Sequence, residues 1–275
     1  MPELPEVESL RQLLAASVVG RRISGVAITQ PQLRRRLAAD LPQRVSGATI
    51  KAVSRRAKYL LMDLGELTLV VHLGMSGSLT HRGGDFESEF NHIHDHVRMA
   101  LDDGSALVYN DPRRFGLLLA VPSSRLEQIE ELRGLGPEPL GTEFNAGYLA
   151  RVARGRQTSI KALLLDQRVV AGIGNIYAAE ILFAAGIRPQ RRAGRLSRAE
   201  LARLAAVTPA ILRAAIGKGG TTFRNYRDSR GQPGRFAPLL KVYGRAGERC
   251  YICGTTVLNR IVGQRASAYC PRCQR

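Results

Sequence analysis

The chain has 275 residues, with 41 Lys+Arg against 23 Asp+Glu, a formal net charge of +18 and 44% hydrophobic residues. That length reads as one large domain or two smaller ones. The hydrophobic content is too high for a disordered basic tail, and no apolar run approaches the ~20 residues of a membrane span. A globular chain this basic points to a polyanion, nucleic acid first, with solubility alone as the plain alternative.

The opening Met1-Pro2-Glu3-Leu4-Pro5-Glu6 is acidic and short of apolar residues, which argues against a secretory signal and for the cytosol. Residues 5–19 read as a helix, with Pro5 in its first turn, Val7, Leu10, Leu13 and Leu14 on one face, and Gly20 beyond its end. Strand-like runs follow at 23–28, 48–53, 59–64, 67–73, 97–101, 106–109 and 116–121, and Asp102-Asp103-Gly104 is a hairpin signal. Short strands at this spacing predict a β-sandwich or barrel with one helix leading in.

Ser124-x-x-Glu127 then reads as a capping box opening a short helix with Leu126, Ile129 and Leu132. The Pro/Gly-rich stretch from Leu135 to Gly141 marks a boundary. Beyond it the pattern is helical, at 146–153, 160–166, 176–185 and 198–216, the last opened by the capping box Ser197-x-x-Glu200. Pro209 is expected to kink or split that helix, because it removes a backbone donor. Residues 217–236 read as a mobile loop, and 237–275 hold all the cysteines between short strands.

Cys250-x2-Cys253-x16-Cys270-x2-Cys273 has the spacing of a four-thiolate zinc site. Four thiolates close the coordination shell, so one zinc ion here is structural rather than catalytic. From Arg230 to Arg275 there are nine Lys/Arg and one acid, Glu248, a balance that suits phosphates.

Other motifs are weaker. Gly172-Ile173-Gly174-Asn175 precedes a helix, where free N–H groups favour anions and Asn175 can either meet a phosphate or cap its own helix. It does not follow a strand, so a dinucleotide fold is excluded. His72-Leu-Gly-Met75-Ser-Gly77 and Asp111-Pro-Arg113-Arg-Phe115-Gly116 put Met75, Arg113 and Phe115 in glycine-flanked turns. They suit a minor-groove wedge, or else a core methionine and a solvated Arg pair. His92-x-His94-Asp95-His96 is one residue short of a metallohydrolase motif and reads as a surface loop.

Pro2 and Glu3 carry the most chemistry. Removal of Met1 would leave Pro2 with a secondary amine able to attack an electrophilic sugar carbon and form an iminium. An α-amine has a reference pKa well below that of lysine, and the positive end of the first helix lowers it further. Glu3 and Glu6 are placed to move protons. The structural alternative is that Pro and Glu simply begin a helix well.

Taken together and in order, residues 1–8, Lys58, His72–Gly77, Asp111–Gly116, Gly174–Tyr177, Val242-Tyr-Gly-Arg245 and the four-cysteine hairpin resemble bacterial formamidopyrimidine-DNA glycosylase, of the helix–two-turn–helix superfamily. Leu4 and His72-Leu-Gly-Met-Ser-Gly77 favour this branch over the pyrimidine-preferring endonuclease VIII. The resemblance implies an α+β chain in two domains: a β-sandwich catalytic domain at 1–134 and a linker at 135–145. A helix–two-turn–helix region with a lesion loop follows at 146–236, and a zinc hairpin at 237–275.

It further implies a monomeric, cytoplasmic, nucleoid-associated glycosylase and abasic-site lyase, acting on damaged double-stranded DNA with one structural zinc and no membrane partner. Its substrates would be 8-oxoguanine and formamidopyrimidines, displaced at C1′, with β,δ-elimination then cutting the strand on both sides. Pro2 is then the nucleophile, Glu3 the proton donor, Lys58 and Arg265 further active-site cations, and Met75, Arg113 and Phe115 the residues filling the gap left by the everted base. His72, Lys161, Asn175, Tyr243 and Arg265 match phosphate-binding positions, and residues 217–238 match the loop over the flipped base. The chain departs from the family pattern at Arg249, at Pro209 and in Phe223-Arg-Asn-Tyr226. The readings outside this assignment are a non-catalytic zinc-ribbon binder and an endonuclease VIII-like pyrimidine glycosylase.

Overall fold

The computed structural model describes residues 1–83, 93–222 and 226–275. The chain divides into two compact units, one formed by Met1–Arg133 with Ile216–Ala237 and the other by Gly134–Ala215 with Pro238–Arg275.

In the first unit, helix α1 (Leu4–Val18) starts where Pro5 fits the first turn and the Glu6 side chain reaches back to the Glu3 N–H. Its fully buried stripe Val7, Leu10, Leu14 and Val18 has helical spacing. Eight strands follow: β1 (Ile23–Ile28), β2 (Ala52–Arg56), β3 (Tyr59–Asp63), β4 (Leu67–His72), β5 (Ser78–Arg82), β6 (Asp95–Leu101), β7 (Ala106–Asn110) and β8 (Leu117–Pro122). A short helix, α2 (Leu41–Val45), lies between β1 and β2. The strands make two four-stranded antiparallel sheets, ordered β1-β6-β7-β5 and β2-β3-β4-β8. One apolar core draws Ile23, Leu79, Met99 and Leu107 from the first sheet and Val53, Leu60, Leu69 and Leu118 from the second. This is the sandwich expected from the strand pattern.

The second unit holds α3 (Ala146–Ala153), α4 (Ile160–Leu165), α5 (Asn175–Ala184), nearly all of α6 (Arg198–Ile216), and the hairpin of β9 (Leu258–Val262) and β10 (Arg265–Tyr269). The capping box at Ser197 forms as read: Ser197 N–H donates to Glu200 and Glu200 N–H to Ser197 Oγ.

Several expectations change. Strand β2 begins at Ala52 rather than 48, because Ala48 and Ile50 instead accept the Ile23 N–H and the Gly20 N–H. Strand β5 was not expected: only Leu79 of its five residues is buried, and it is an edge strand. The helix proposed at Ser124 is a 3-10 turn, Ser123–Gln128, with no buried side chain to hold a longer helix. Helix α6 runs through Pro209 as one 19-residue element, so the proline does not split it. Residues Ile216–Ala237, read with the helical region, group with the first unit, where Thr221 and Tyr226 bond to α1.

Candidate nucleic-acid interface and metal centre

Pro2 and Glu3 are buried at the start of α1. The terminal amine, here that of Met1, is pushed below its ordinary pKa, first by burial; Glu3 and Glu6 oppose the shift, and Lys58 and Arg113 reinforce it. The sequence-predicted Pro2, Glu3, Glu6, Lys58 and Arg113 are thus brought together. Lys58 is buried at the β2–β3 turn, behind Ala57, whose φ is +53°.

His72, the last residue of β4, is also buried and takes the Gly74 N–H on Nδ1, which places the neutral ring's proton on Nε2. Burial above all, then Lys58 and Arg34, lowers its pKa to about 4. This imidazole is neutral near pH 7.

Met75 and Phe115 are 43% and 46% exposed, Met75 between the buried Gly74 and Ser76 and Phe115 beside the buried Gly116. This excludes the core-methionine alternative. The Arg113 guanidinium lies 4.5 Å over the Phe115 ring, so this arginine is not simply solvated either. Gly74, at φ +60°, allows the turns to touch: a Cβ there would sit 2.5 Å from the Phe115 carbonyl carbon.

In the second unit, Lys161 is fully buried, and its ammonium donates to the Ala266 carbonyl at 2.9 Å and to Ser267 Oγ. Asn175 Nδ2 donates to the same carbonyl at 3.2 Å. Gly174, extended at φ −127°, is the N-cap of α5; Asn175 is the first helical residue and does not cap its own helix. Two predicted phosphate ligands therefore fix the strand that begins with the exposed Arg265. Tyr243 is tied through its N–H to Glu180, whose buried carboxylate also accepts the N–H groups of Lys241 and Val242.

The four cysteine sulfurs lie within 4.8 Å of one another, with Cys253···Cys270 at 3.4 Å and Cys250···Cys273 at 3.9 Å. Tetrahedral thiolates about 2.3 Å from zinc stand roughly 3.8 Å apart, so these residues fit that ion. Hydrogen bonds from Thr255 lower the Cys253 thiol to about 6, while burial raises Cys270 and Cys273. Among the described residues this is the one grouping of metal-ligating side chains. His92 lies outside the described residues; Asp95 is engaged by Arg82 and Asn110, and His96 Nε2 by the Asp111 carbonyl.

Sequence reasoning missed Glu180 and the bonds of Asp111, and gave Glu6 only a proton-moving role. The carboxylates of Glu180 and Asp111 and the loop contacts of Glu6 are tertiary features without a local signature. One backbone signal is specific: the non-glycine residues with positive φ among the described residues are Ala57, Arg114 and Gln264. Each adjoins a predicted site residue: the active-site cation Lys58, the Arg113/Phe115 pair, and Arg265. Such conformations cost of order 1–3 kcal/mol and concentrate at functional sites.

Known proteins are similar to this chain along its whole length. Residues 1–118 match the family described as the formamidopyrimidine-DNA glycosylase N-terminal domain, and residues 135–227 its H2TH domain. A formamidopyrimidine-DNA glycosylase of Alkalilimnicola ehrlichii is 49% identical over 278 residues, covering 100% of both chains. A Lactococcus lactis FPG mutant solved with a Fapy-dG containing DNA superposes with a TM-score of 0.91 at 33% identity, covering 100% of both chains. The Lactococcus lactis Fpg solved with an abasic site containing DNA gives 0.90 at 33% identity and 99% coverage of each.

Proposed function

Because the chain belongs to the formamidopyrimidine-DNA glycosylase family, we propose that it is a bifunctional glycosylase and abasic-site lyase that excises 8-oxoguanine and formamidopyrimidines from duplex DNA. The observation that carries this reading is the gathering of the terminal amine, Glu3, Glu6, Lys58 and Arg113 at the buried start of α1.

Removal of Met1 turns the Pro2 nitrogen from an amide into a secondary amine. Everting the damaged nucleotide exposes its sugar carbon. The Pro2 nitrogen bonds to C1′, the glycosidic bond breaks with its electron pair leaving on the base, and the proton lost from the Pro2 nitrogen goes to that base. Glu3 gives a proton to the deoxyribose ring oxygen, the ring opens, and a C1′ iminium results. The iminium acidifies C2′–H; loss of that proton expels the 3′ phosphate, and a second elimination expels the 5′ phosphate, leaving a one-nucleotide gap. Lys58 supplies positive charge beside this centre, and Arg113 faces the unpaired base opposite while Met75 and Phe115 fill the space.

His72, Lys161, Asn175, Tyr243 and Arg265 bind the backbone around the lesion, His72 as a neutral donor through Nε2. Cys250, Cys253, Cys270 and Cys273 hold one zinc ion, which supplies a structural cross-link under the hairpin. The enzyme acts as a monomer in the cytoplasm at the nucleoid, and no described helix is long and apolar enough to cross a membrane.

Borohydride trapping on an 8-oxoguanine duplex tests base release and the iminium together. A covalent adduct is expected. Its absence, with binding intact, would leave a non-catalytic binder, and faster trapping on thymine glycol would move the preference to oxidised pyrimidines.

A further inference from the structure

Asp111 is completely buried between the two turns that carry Met75, Arg113 and Phe115. An ionised carboxylate only accepts hydrogen bonds, and this one accepts from both turns. Ser76 Oγ donates to Oδ1 at 2.7 Å, the Gly116 N–H to Oδ2 at 2.8 Å, and the Arg113 N–H to Oδ1 at 3.3 Å. The Asp111 carbonyl accepts His96 Nε2 at 2.8 Å and the Arg114 N–H at 3.1 Å, so the aspartate's own backbone is anchored. The packing around it leaves no slack, since a Cβ on Gly74 would collide with the Phe115 backbone and one on Gly116 with the Tyr109 hydroxyl.

We propose that Asp111 is a positioning residue that locks the Met75 turn to the Arg113–Phe115 turn, so that the three inserting side chains enter the duplex as one preorganised body. This rests on the wedge reading given above. Residues beside the tips are held by Asp111: Ser76 after Met75, and Arg114 and Gly116 on either side of Phe115. The tips themselves stand in solvent. Releasing the carboxylate bonds therefore loosens the spacing between tips more than it opens the core. A wedge whose parts move independently must be ordered at the moment of insertion, and that ordering is charged to base eversion.

The test compares single-turnover excision from an 8-oxoguanine duplex with cleavage of a preformed abasic site, which needs no base everted. Asp111→Asn, which offers one acceptor where two are used, is expected to slow excision about tenfold and abasic-site cleavage by no more than about threefold. Ser76→Ala should show the same selectivity more weakly, and Ser76→Thr, which keeps the hydroxyl, should restore excision. Equal slowing on both substrates, or wild-type excision by the variants, would overturn the proposal. If Asp111→Asn does not fold, Ser76→Ala and Ser76→Thr decide it. Met75→Ala separates the two levels: selective slowing by Met75→Ala without selectivity at Ser76 or Asp111 refutes the positioning role alone, whereas no effect of Met75→Ala on either substrate refutes the wedge reading and this proposal with it.

Discussion

Glu6 accepts the Thr221 N–H on Oε1 at 2.7 Å, joining the start of α1 to a segment 215 residues later. The other oxygen of the same buried carboxylate takes the Glu3 N–H at 2.8 Å, and the Glu6 carbonyl takes the Tyr226 hydroxyl at 2.8 Å. The Glu6 carboxylate thus ties the backbone of the proposed proton donor to Thr221 of the 216–237 segment.

The adjacent Gly220 shows how tightly this joint is built. Its φ is +80°, and a Cβ would come within 2.8 Å of Glu6 Cγ and Oε1. Gly220→Ala is expected to lower stability by about 2 kcal/mol, from the left-handed backbone and the overpacked contact together. Excision should fall while zinc content holds. Urea unfolding and metal analysis would show it, and a variant as stable as the parent would mean that the segment yields freely.

His72 gives a pH signature. Its folded pKa of about 4 lies below the ordinary 6.5, so between these values the unfolded chain binds more protons than the folded one. Its contribution is fully present above pH 6.5 and is lost as pH falls toward and through 4, by about 3 kcal/mol in all. His72→Asn, whose Oδ1 can still accept the Gly74 N–H, should flatten that fall. Denaturant unfolding from pH 7 to 4 would check it; equal slopes for the two proteins would show His72 already protonated in the folded state.

The sandwich, the helical region and the cysteine site were legible because each leaves a local pattern. Buried apolar residues alternate or recur by turns, as in Val7, Leu10 and Leu14, and Cys250-x2-Cys253 places two thiols on one knuckle. Strand β5 was not legible, since an edge strand with Leu79 as its one buried residue has no alternation to read. Pro209 does not split its helix, because Leu204 and Leu212, fully buried on either side, keep it packed despite one lost bond. Lys161 is named only through the resemblance, as a phosphate-binding position, and its burial against Ala266 and Ser267 has no local sign. The bond of Asp111 to Ser76 Oγ and that of Glu6 to the Thr221 N–H are hidden because only the fold brings those partners near.

The zinc hairpin should behave as a folding element. Chelation, or Cys250→Ser, is expected to unfold it locally and abolish DNA binding. Arg265→Ala should weaken binding with zinc content unchanged. Zinc-free protein that binds DNA normally would contradict the role assigned to the four thiolates.

Affinity should fall steeply with salt, with a log–log slope of about −0.9 for each phosphate neutralised. Arg265→Ala should make the slope shallower by about one such step. His72→Asn should weaken binding without changing the slope, because the neutral imidazole releases no counterion. Fluorescence anisotropy across a salt series measures both, and a flat response in the parent protein would remove the phosphate contacts from the account.

The central claim is that the nucleophile is the nitrogen of Pro2. A chain that retains Met1 presents an amide there and should bind lesion DNA without cutting it. Glu3→Gln should abolish excision while leaving affinity largely intact. The most direct measurement is mass spectrometry of the borohydride-trapped complex after proteolysis: the DNA adduct is expected on the N-terminal peptide that begins at Pro2, and an adduct on Lys58 or Lys161 would contradict the mechanism.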